Sequence, residues 1–472
     1  TELQVAVRFS MFHCLQAAAR AEQRAIPAKG LTGPGYEGHT FWDTEMFVLP
    51  VLSYTVPEAA RDALHWRHDT LDLARDRAAV LGLKGAAFPW RTIRGQECSS
   101  YWPAGTAAFH INAAVADAVR RYVTATDDVD FESGPGIELL VETARMWRSL
   151  GHHDTEGNFR IDGVTGPDEY SAVVDNNTFT NLMAARNLRC AADCVERYPD
   201  RAVELGVDDD TLSSWRAAAG AMVIPFDAEL GVTAQAEGFT RYRKWDFAGT
   251  DPADYPLLMN VPYYRLYSSQ VAKQADLVMA LYACGDGFTA EQKQRDFAYY
   301  EAITVRDSSL SAAIQAIVAV EVGHMDLAYE YFRETAFVDL RNRAGNTADG
   351  LHLASLAGSW MVAVNGFGGM RDQGDQLCFA PRLPAAMDRL TFRLGYRGRQ
   401  LRVELRPDAA AYELRSGAPL DIVEHGEIVT LTAGEPLVRP YPPFDPPPPV
   451  SPPPGRDAFG TGVGVEVVDS RN

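Results

Sequence analysis

Four short polar stretches, far apart in the chain, carry residue types that could do chemistry together. In DGVTGPDEYSAVVDNNTFTN, residues 162–181, Glu169 follows Gly-Pro-Asp, a stiff turn that can aim one side chain from a fixed backbone. A glycosidic oxygen is a poor leaving group and needs a proton from a positioned carboxylic acid. Glu169 is the candidate acid, with Tyr170, Asn176, Asn177 and Asn181 to orient it and to meet sugar hydroxyls. In GYEGHTFWDTEMF, residues 35–47, Trp42 offers a face for a sugar ring and Asp43 a carboxylate for its hydroxyls. In SSQVAKQADLVM, Lys273 and Gln274 adjoin at a helix start and can bind two further hydroxyls. In RAGNTADGLHLASLAG, residues 343–358, a loop with Thr347 and Gly350 leads into a helix whose first turns carry His352 and Ser355. Backbone N–H groups at a helix start, with those side chains beside them, make an anion site, and phosphate is its natural guest.

Each stretch alone also has a plain structural reading. Asp43 or Thr44 can cap a helix over a packed Trp42. The acids around Glu169 can belong to a solvated loop, Lys273 to the exposed face of an amphipathic helix, and His352 to the core.

The elements that must position these residues are helices. From about Gln4 to Gly366 apolar residues recur at helical spacing, as in TAAFHINAAVADAVRRYV and SLSAAIQAIVAVEVG, in roughly a dozen segments joined by polar connections. Long connections in a compact domain are usually functional. No fixed-length repeat is visible, which favours a closed α/α toroid over a solenoid. After Gly369 short alternating runs (LTFRL, LRVEL, AYELR, IVTLT) read as a small antiparallel β unit. YPPFDPPPPVSPPPG then reads as extended and exposed polyproline, with a loose tail to Asn472. The expected division is a mainly α catalytic domain over 1–369, a β-sheet domain over 370–443 and a disordered proline-rich tail over 444–472.

Composition narrows the function classes. A net charge of −19 over 472 residues argues against nucleic acid or an anionic membrane surface as partner. No apolar run reaches membrane-span length, and no signal-peptide pattern stands at the start. Six scattered cysteines do not read as a disulfide framework, which points to the cytoplasm. Cys190 and Cys194, one helical turn apart, have no second Cys/His pair to complete a metal site and read as core. No metal and no cofactor are expected. The run Asp208–Asp210 lacks the second metal motif that a terpene cyclase toroid needs.

Taken in order, GLTGPGYEGHTFWDTE, KGAAFPW, DGVTGPDEY…NNTFTN, KQAD, DSSLS and GNTADGLHLASLAG resemble the signatures of glycoside hydrolase family 65, the family of maltose, trehalose, kojibiose and nigerose phosphorylases and some hydrolases. The likeness runs from about Leu3 to Gly369, and the β segment to about Pro443 resembles the family's C-terminal sheet domain. The resemblance implies an (α/α)6 barrel. It places Glu169 as general acid, Trp42, Asp43, Lys273 and Gln274 around the glucosyl unit, and the loop of Thr347, Gly350, His352 and Ser355 on inorganic phosphate. It implies inverting phosphorolysis of an α-linked glucose disaccharide, trehalose or maltose type, to β-glucose 1-phosphate and glucose. A hydrolase of the same family is the alternative, and an inactive carbohydrate-binding chain a second. The expected partners are disaccharide and phosphate, a second copy of the chain in a homodimer, and the family's N-terminal β-sandwich, which is expected to be missing from this chain or a separate segment. Arg306 in TVRDSSLS departs from the family, which often has His there. Gly95–Gly105, GQECSSYWPAG, is the stretch expected to shape the acceptor side, with a trehalose-type cast.

Overall fold

The computed structural model describes residues 1–457 apart from 344, 373 and 375. Twelve of its helices form six pairs: α1 (Glu2–Ala21) with α2 (Leu49–Thr55), α3 (Pro57–Asp69) with α4 (His110–Thr126), α5 (Ile137–Leu150) with α6 (Thr178–Arg197), α7 (Asp209–Gly220) with α8 (Leu277–Ala283), α9 (Ala290–Glu301) with α10 (Ser311–Val322), and α11 (Met325–Phe337) with α12 (Leu353–Met361). The first helix of each pair is outer and the second inner. Successive inner helices pack on one another, and α12 returns to α2 and to the π-type turn Thr44–Val48 that precedes it. The ring is therefore a closed (α/α)6 barrel.

Sequence chemistry explains the two rings. The inner α10, SAAIQAIVAVEV, is almost wholly buried and apolar all round, and its alanines let neighbours approach closely. The outer α7 and α9 bury one stripe and start on side-chain caps, Asp208 accepting from Thr211 N and Thr289 from Gln292 N.

The connections are asymmetric. From inner to outer helix the chain turns quickly: Val56 alone separates α2 from α3, and Gly323-His324 separates α10 from α11. The outer-to-inner connections are 22–43, 70–109, 151–177, 221–276, 302–310 and 338–352, and all but 302–310 are longer than any inner-to-outer one. All six deliver the chain to the N-terminal ends of the inner helices, so they meet at one mouth of the barrel. The polar stretches singled out by sequence all lie there.

The opposite mouth carries the second domain. Strands β2 (Leu390–Tyr396), β3 (Arg399–Leu405), β4 (Ala409–Ser416) and β7 (Leu437–Pro440) make an antiparallel sheet in the order β7-β4-β3-β2. A second sheet orders β6 (Glu427–Leu431), β5 (Leu420–Glu424) and β1 (Leu377–Phe379), and here β1 runs parallel to β5, so the unit is not purely antiparallel. Arg397 donates to the carbonyls of Ala125 and Thr124, capping the C-terminal end of α4 with a cation. Buried Asp372 accepts from Tyr54 at 2.9 Å and pairs with Arg121 at 2.8 Å, and Asp117 grips the same arginine at 2.7 Å. These contacts tie sheet domain to barrel.

The proline-rich segment differs from the expectation of a loose tail. It has no regular structure from Tyr441 to Val450, but it is docked. Phe444 lies so close to Gly323 that a Cβ there would overlap its ring, and the Arg382 guanidinium stands 4.0 Å over the same ring. Arg456 is bonded to Asp307 and Val305. Prolines leave the backbone few bonds of its own, so single anchoring side chains set its course. The rest of the expected tail, 458–472, lies outside the described residues. Among the described residues no helix is long and apolar enough to cross a membrane.

Candidate active site

The turn that carries Glu169 is built on its neighbour. Asp168 is fully buried, and its carboxylate accepts from Lys273 N at 2.7 Å, Tyr170 N at 3.2 Å and Gln235 Nε2 at 2.8 Å. One side chain thus ties two connections together: 151–177, its own, and 221–276 at two points. Asp168 N in turn donates to Asp276 at 3.1 Å, and Asn177 Nδ2 donates to the same carboxyl at 3.1 Å. Gly166 is required here, since a Cβ would stand 2.4 Å from Asn177 Nδ2 and 2.6 Å from Asp276 Oδ2. Burial pushes Asp168 up to about 6, and burial with the adjacent Asp168 charge pushes Asp276 up to about 8.

On this base Glu169 is left partly exposed, with Lys273 Nζ 2.7 Å from its Oε2. Burial works against the Lys273 ammonium, but the charge and hydrogen bond of Glu169 outweigh it and raise it overall. Lys273 and Gln274 do not sit in a helix; they precede α8, where Gln274 donates to the Pro167 carbonyl. The Gln274 side chain lines a small cavity with Trp42, Phe47, Met279 and Ile314.

Trp42 is 4% exposed and packs edge-on against His110 at 4.8 Å and Phe179 at 5.9 Å, so the packed-core and ring-platform readings of this residue describe one position. Asp43, beside it, starts the π-type turn Thr44–Val48, an irregularity common at functional sites. Burial pushes the Asp43 carboxyl up to about 7; Glu45 and Glu169 add to this and Lys29 opposes it.

The loop before α12 is interlocked with the first motif. Lys29 Nζ donates to Gly350 O at 3.0 Å, and Thr32 Oγ1 accepts from Leu351 N at 2.8 Å. A Cβ on Gly33 would lie 2.5 Å from Gly350 N and from Asp349 O, so glycine is needed for this approach. His352 caps the start of α12 and is clamped by Asp339, whose Oδ2 accepts from His352 N and whose Oδ1 meets Nδ1, both at 2.7 Å. With Nδ1 committed, Nε2 is the nitrogen available to a ligand. Ser355 is buried, and its hydroxyl has no partner among the described residues. Thr347 turns inward, its hydroxyl donating to Asp339 O at 3.3 Å, and Gly350 holds φ +110.

The mouth therefore joins Glu169, Lys273, Gln274, Trp42 and Asp43 through Lys29 to Gly350, His352 and Ser355. Four residues expected to orient Glu169 or meet sugar hydroxyls do not face it. Asn177 caps α6 and holds Asp276, Asn176 and Asn181 bond each other at 3.1 Å, and all three are fully buried. Tyr170 points away to Asp307 at 2.8 Å. Sequence reasoning missed Lys29, Asp339, Gln235 and His110. Lys29 adjoins the GLTG motif and could have been noticed there; Asp339, in AFVDLRN, carries no local signal. His110 Nδ1 donates to Thr165 O, 3.1 Å away; the ring is pushed down to about 4 by burial, and its Nε2 has no partner among the described residues. No group of three or more His, Cys, Asp or Glu that could hold a metal occurs among the described residues.

Known proteins resemble this chain closely. It is 56% identical over 437 residues to an uncharacterized glycosyl hydrolase of Mycobacterium leprae, covering 92% of this chain and 55% of that protein. It is 45% identical over 444 residues to the alpha,alpha-trehalose phosphorylase of Geobacillus stearothermophilus, covering 92% and 58%. A solved protein of the human microbiome, named for kojibiose phosphorylase, superposes with a TM-score of 0.87 at 29% identity over 94% of this chain and 66% of its own. The chain thus spans little more than half the length of the curated relatives it matches. Residues 8–361 match the glycosyl hydrolase family 65 central catalytic domain and residues 370–431 the family's C-terminal domain, and with the barrel and mouth above they show that the chain belongs to glycosyl hydrolase family 65.

Proposed function

We propose that this chain carries the active site of an inverting disaccharide phosphorylase, acting on an α-linked glucose disaccharide of the trehalose or maltose type. The observation that carries this reading is one barrel mouth holding both a partly exposed, loop-borne acid, Glu169, and a helix start with His352, Gly350 and the Ser355 hydroxyl, which has no partner among the described residues. The phosphorylases among its relatives support it.

In this reading Trp42, Asp43, Lys273 and Gln274 hold the glucosyl unit. The Lys273–Glu169 pair opens as the ammonium passes to a sugar hydroxyl, and Glu169 turns to the glycosidic oxygen. A phosphate oxygen bonds to the anomeric carbon from the opposite face as the glycosidic bond breaks, and the Glu169 proton leaves with the departing sugar. The new phosphate ester returns a proton to Glu169. One displacement inverts the α-glucoside to β-glucose 1-phosphate. Phosphate is the nucleophile, so no second carboxylate is needed as base. The structure around His352 fits this. Asp339 is committed to the imidazole, and Asp349 is exposed beside the first motif. Six unpaired cysteines support a reducing, cytoplasmic setting. The 95–105 stretch contributes Trp102, whose indole meets Tyr267 at 3.3 Å, and forms the acceptor rim in this reading.

The test is a panel of trehalose, maltose, kojibiose and nigerose, each with phosphate. Release of β-glucose 1-phosphate supports phosphorolysis. Glucose alone, independent of phosphate, makes the chain a hydrolase.

A further inference from the structure

The strap of residues 441–457 ends on a residue that reaches the acid loop. Asp307, whose side chain is 1% exposed, stands just before α10 and gathers three donors: Tyr170 Oη at 2.8 Å, Leu257 N at 2.8 Å and Arg456 Nη2 at 2.9 Å. Tyr170 directly follows Glu169, and its hydroxyl also accepts from Leu258 N at 2.9 Å. Bonds to Gln235, Lys273 and Asp276 therefore fix Asp168, the residue before position 169, and Asp307 fixes Tyr170, the residue after it.

Arg456 is built into place rather than grazing the surface. Its Nε donates to Val305 O at 2.5 Å, its guanidinium lies 4.6 Å from the Tyr255 ring centre, and its carbonyl accepts from Arg306. Arg306, the family-atypical residue, is itself buried at φ +55 between Glu334 and Tyr331. The route is feasible: extended polyproline gains about 3.1 Å per residue, so Pro440 to Arg456 can span about 50 Å, while α10 is only about 18 Å long. Phe444 docks at Gly323, after the end of α10, and Arg456 docks at Asp307, before its start. The strap thus runs from the sheet-domain end of the barrel to its catalytic mouth.

We propose that Arg456 is a positioning residue for Glu169, acting through Asp307 and Tyr170. The proposal rests on the reading of Glu169 as general acid. The physical reason is the cost of an unpaired buried charge: without the guanidinium, Asp307 must protonate or shift, and either change alters its bond to Tyr170. Burial already pushes the Asp307 carboxyl up, and Arg456 opposes that push.

The experiment compares wild type, Arg456→Ala and Arg456→Lys on the disaccharide that wild type phosphorolyses fastest, and on α-glucosyl fluoride with phosphate. Fluoride leaves with little help from an acid, so a misplaced Glu169 matters only for the disaccharide. Expected for R456A is a loss in kcat of about tenfold on the disaccharide, with KM for phosphate within about twofold and near wild-type rates on the fluoride. R456K should recover most of the loss. Unchanged kcat in R456A, or an equal loss on both substrates, overturns the proposal. If wild type releases no glucose 1-phosphate from any of the four disaccharides, the proposed reaction has failed on its own account. The strap is then judged by hydrogen exchange: faster exchange at the Tyr170 and Ser171 amides of R456A supports it, and unchanged exchange overturns it.

Discussion

Lys273 Nζ lies 2.7 Å from Glu169 Oε2, although 104 residues separate them in the chain. In the proposed reading the pair is the junction between the sugar-holding stretch and the proton donor. Glu169→Gln should abolish disaccharide phosphorolysis by about 10²–10⁴-fold while glucose still binds. Lys273→Met should leave Glu169 in place and raise KM for the disaccharide about tenfold or more, because it removes a charged donor to a hydroxyl. Steady-state kinetics and glucose titration measure both; an active E169Q would remove the acid from its assigned role.

The Asp339 carboxylate holds His352 and the start of α12. Asp339→Asn keeps the shape but weakens the clamp. KM for phosphate should rise about tenfold, as with removal of a charged hydrogen bond, while KM for the disaccharide stays within about twofold. Initial rates at varied phosphate decide it, and a change confined to the sugar would contradict the placement of the phosphate site.

Gly33 and Gly350 meet back to back. Gly33→Ala puts a methyl into the Gly350 amide and should cost about 1–3 kcal/mol of stability. Because the displaced backbone belongs to the loop proposed to bind phosphate, phosphate affinity should fall with it. Urea unfolding and phosphate kinetics on the one variant test the coupling.

Half-buried Asp43 and fully buried Asp168 and Asp276 are pushed up by desolvation to about 7, 6 and 8. In the unfolded chain such groups ionise near pH 4. The folded state therefore binds more protons between those values. Its stability from these groups is complete below about pH 4 and is lost as pH rises towards 8. Asp276→Asn removes one of them and should be more stable than wild type at pH 8 by at least about 1 kcal/mol, with the difference shrinking near pH 5. Urea midpoints at the two pH values test this; a pH-independent difference would contradict it.

The barrel could be read from the chain because helix periodicity is local. Segments such as SAAIQAIVAVEV and IELLVETARMWRSL announce an inner and an outer helix by how much of their circumference is apolar. The stiff turn before Glu169 was equally plain, since Gly166 and Pro167 constrain backbone wherever they stand. The side chains around it were not. Asn176, Asn177 and Asn181 look like sugar ligands in one dimension, yet each is spent on backbone or on another buried amide. The pattern puts Lys273 and Gln274 at a helix start, but α8 begins at Leu277.

What the sequence determined by itself was the helical architecture and the change to strands after Gly369; it also marked the stretch of Glu169 and the helix start at His352 as candidates for chemistry. Spacing, turn residues and composition act within a few residues of one another, so they survive without the fold. Only the tertiary structure decided the partners. Asp339 holds His352, Lys29 reaches Gly350 across 321 residues, and Arg456 reaches Asp307 across 149. Those pairings follow from the closure of twelve helices into a ring whose longer connections all meet at one mouth. Burial and charge complementarity there select partners without regard to distance along the chain.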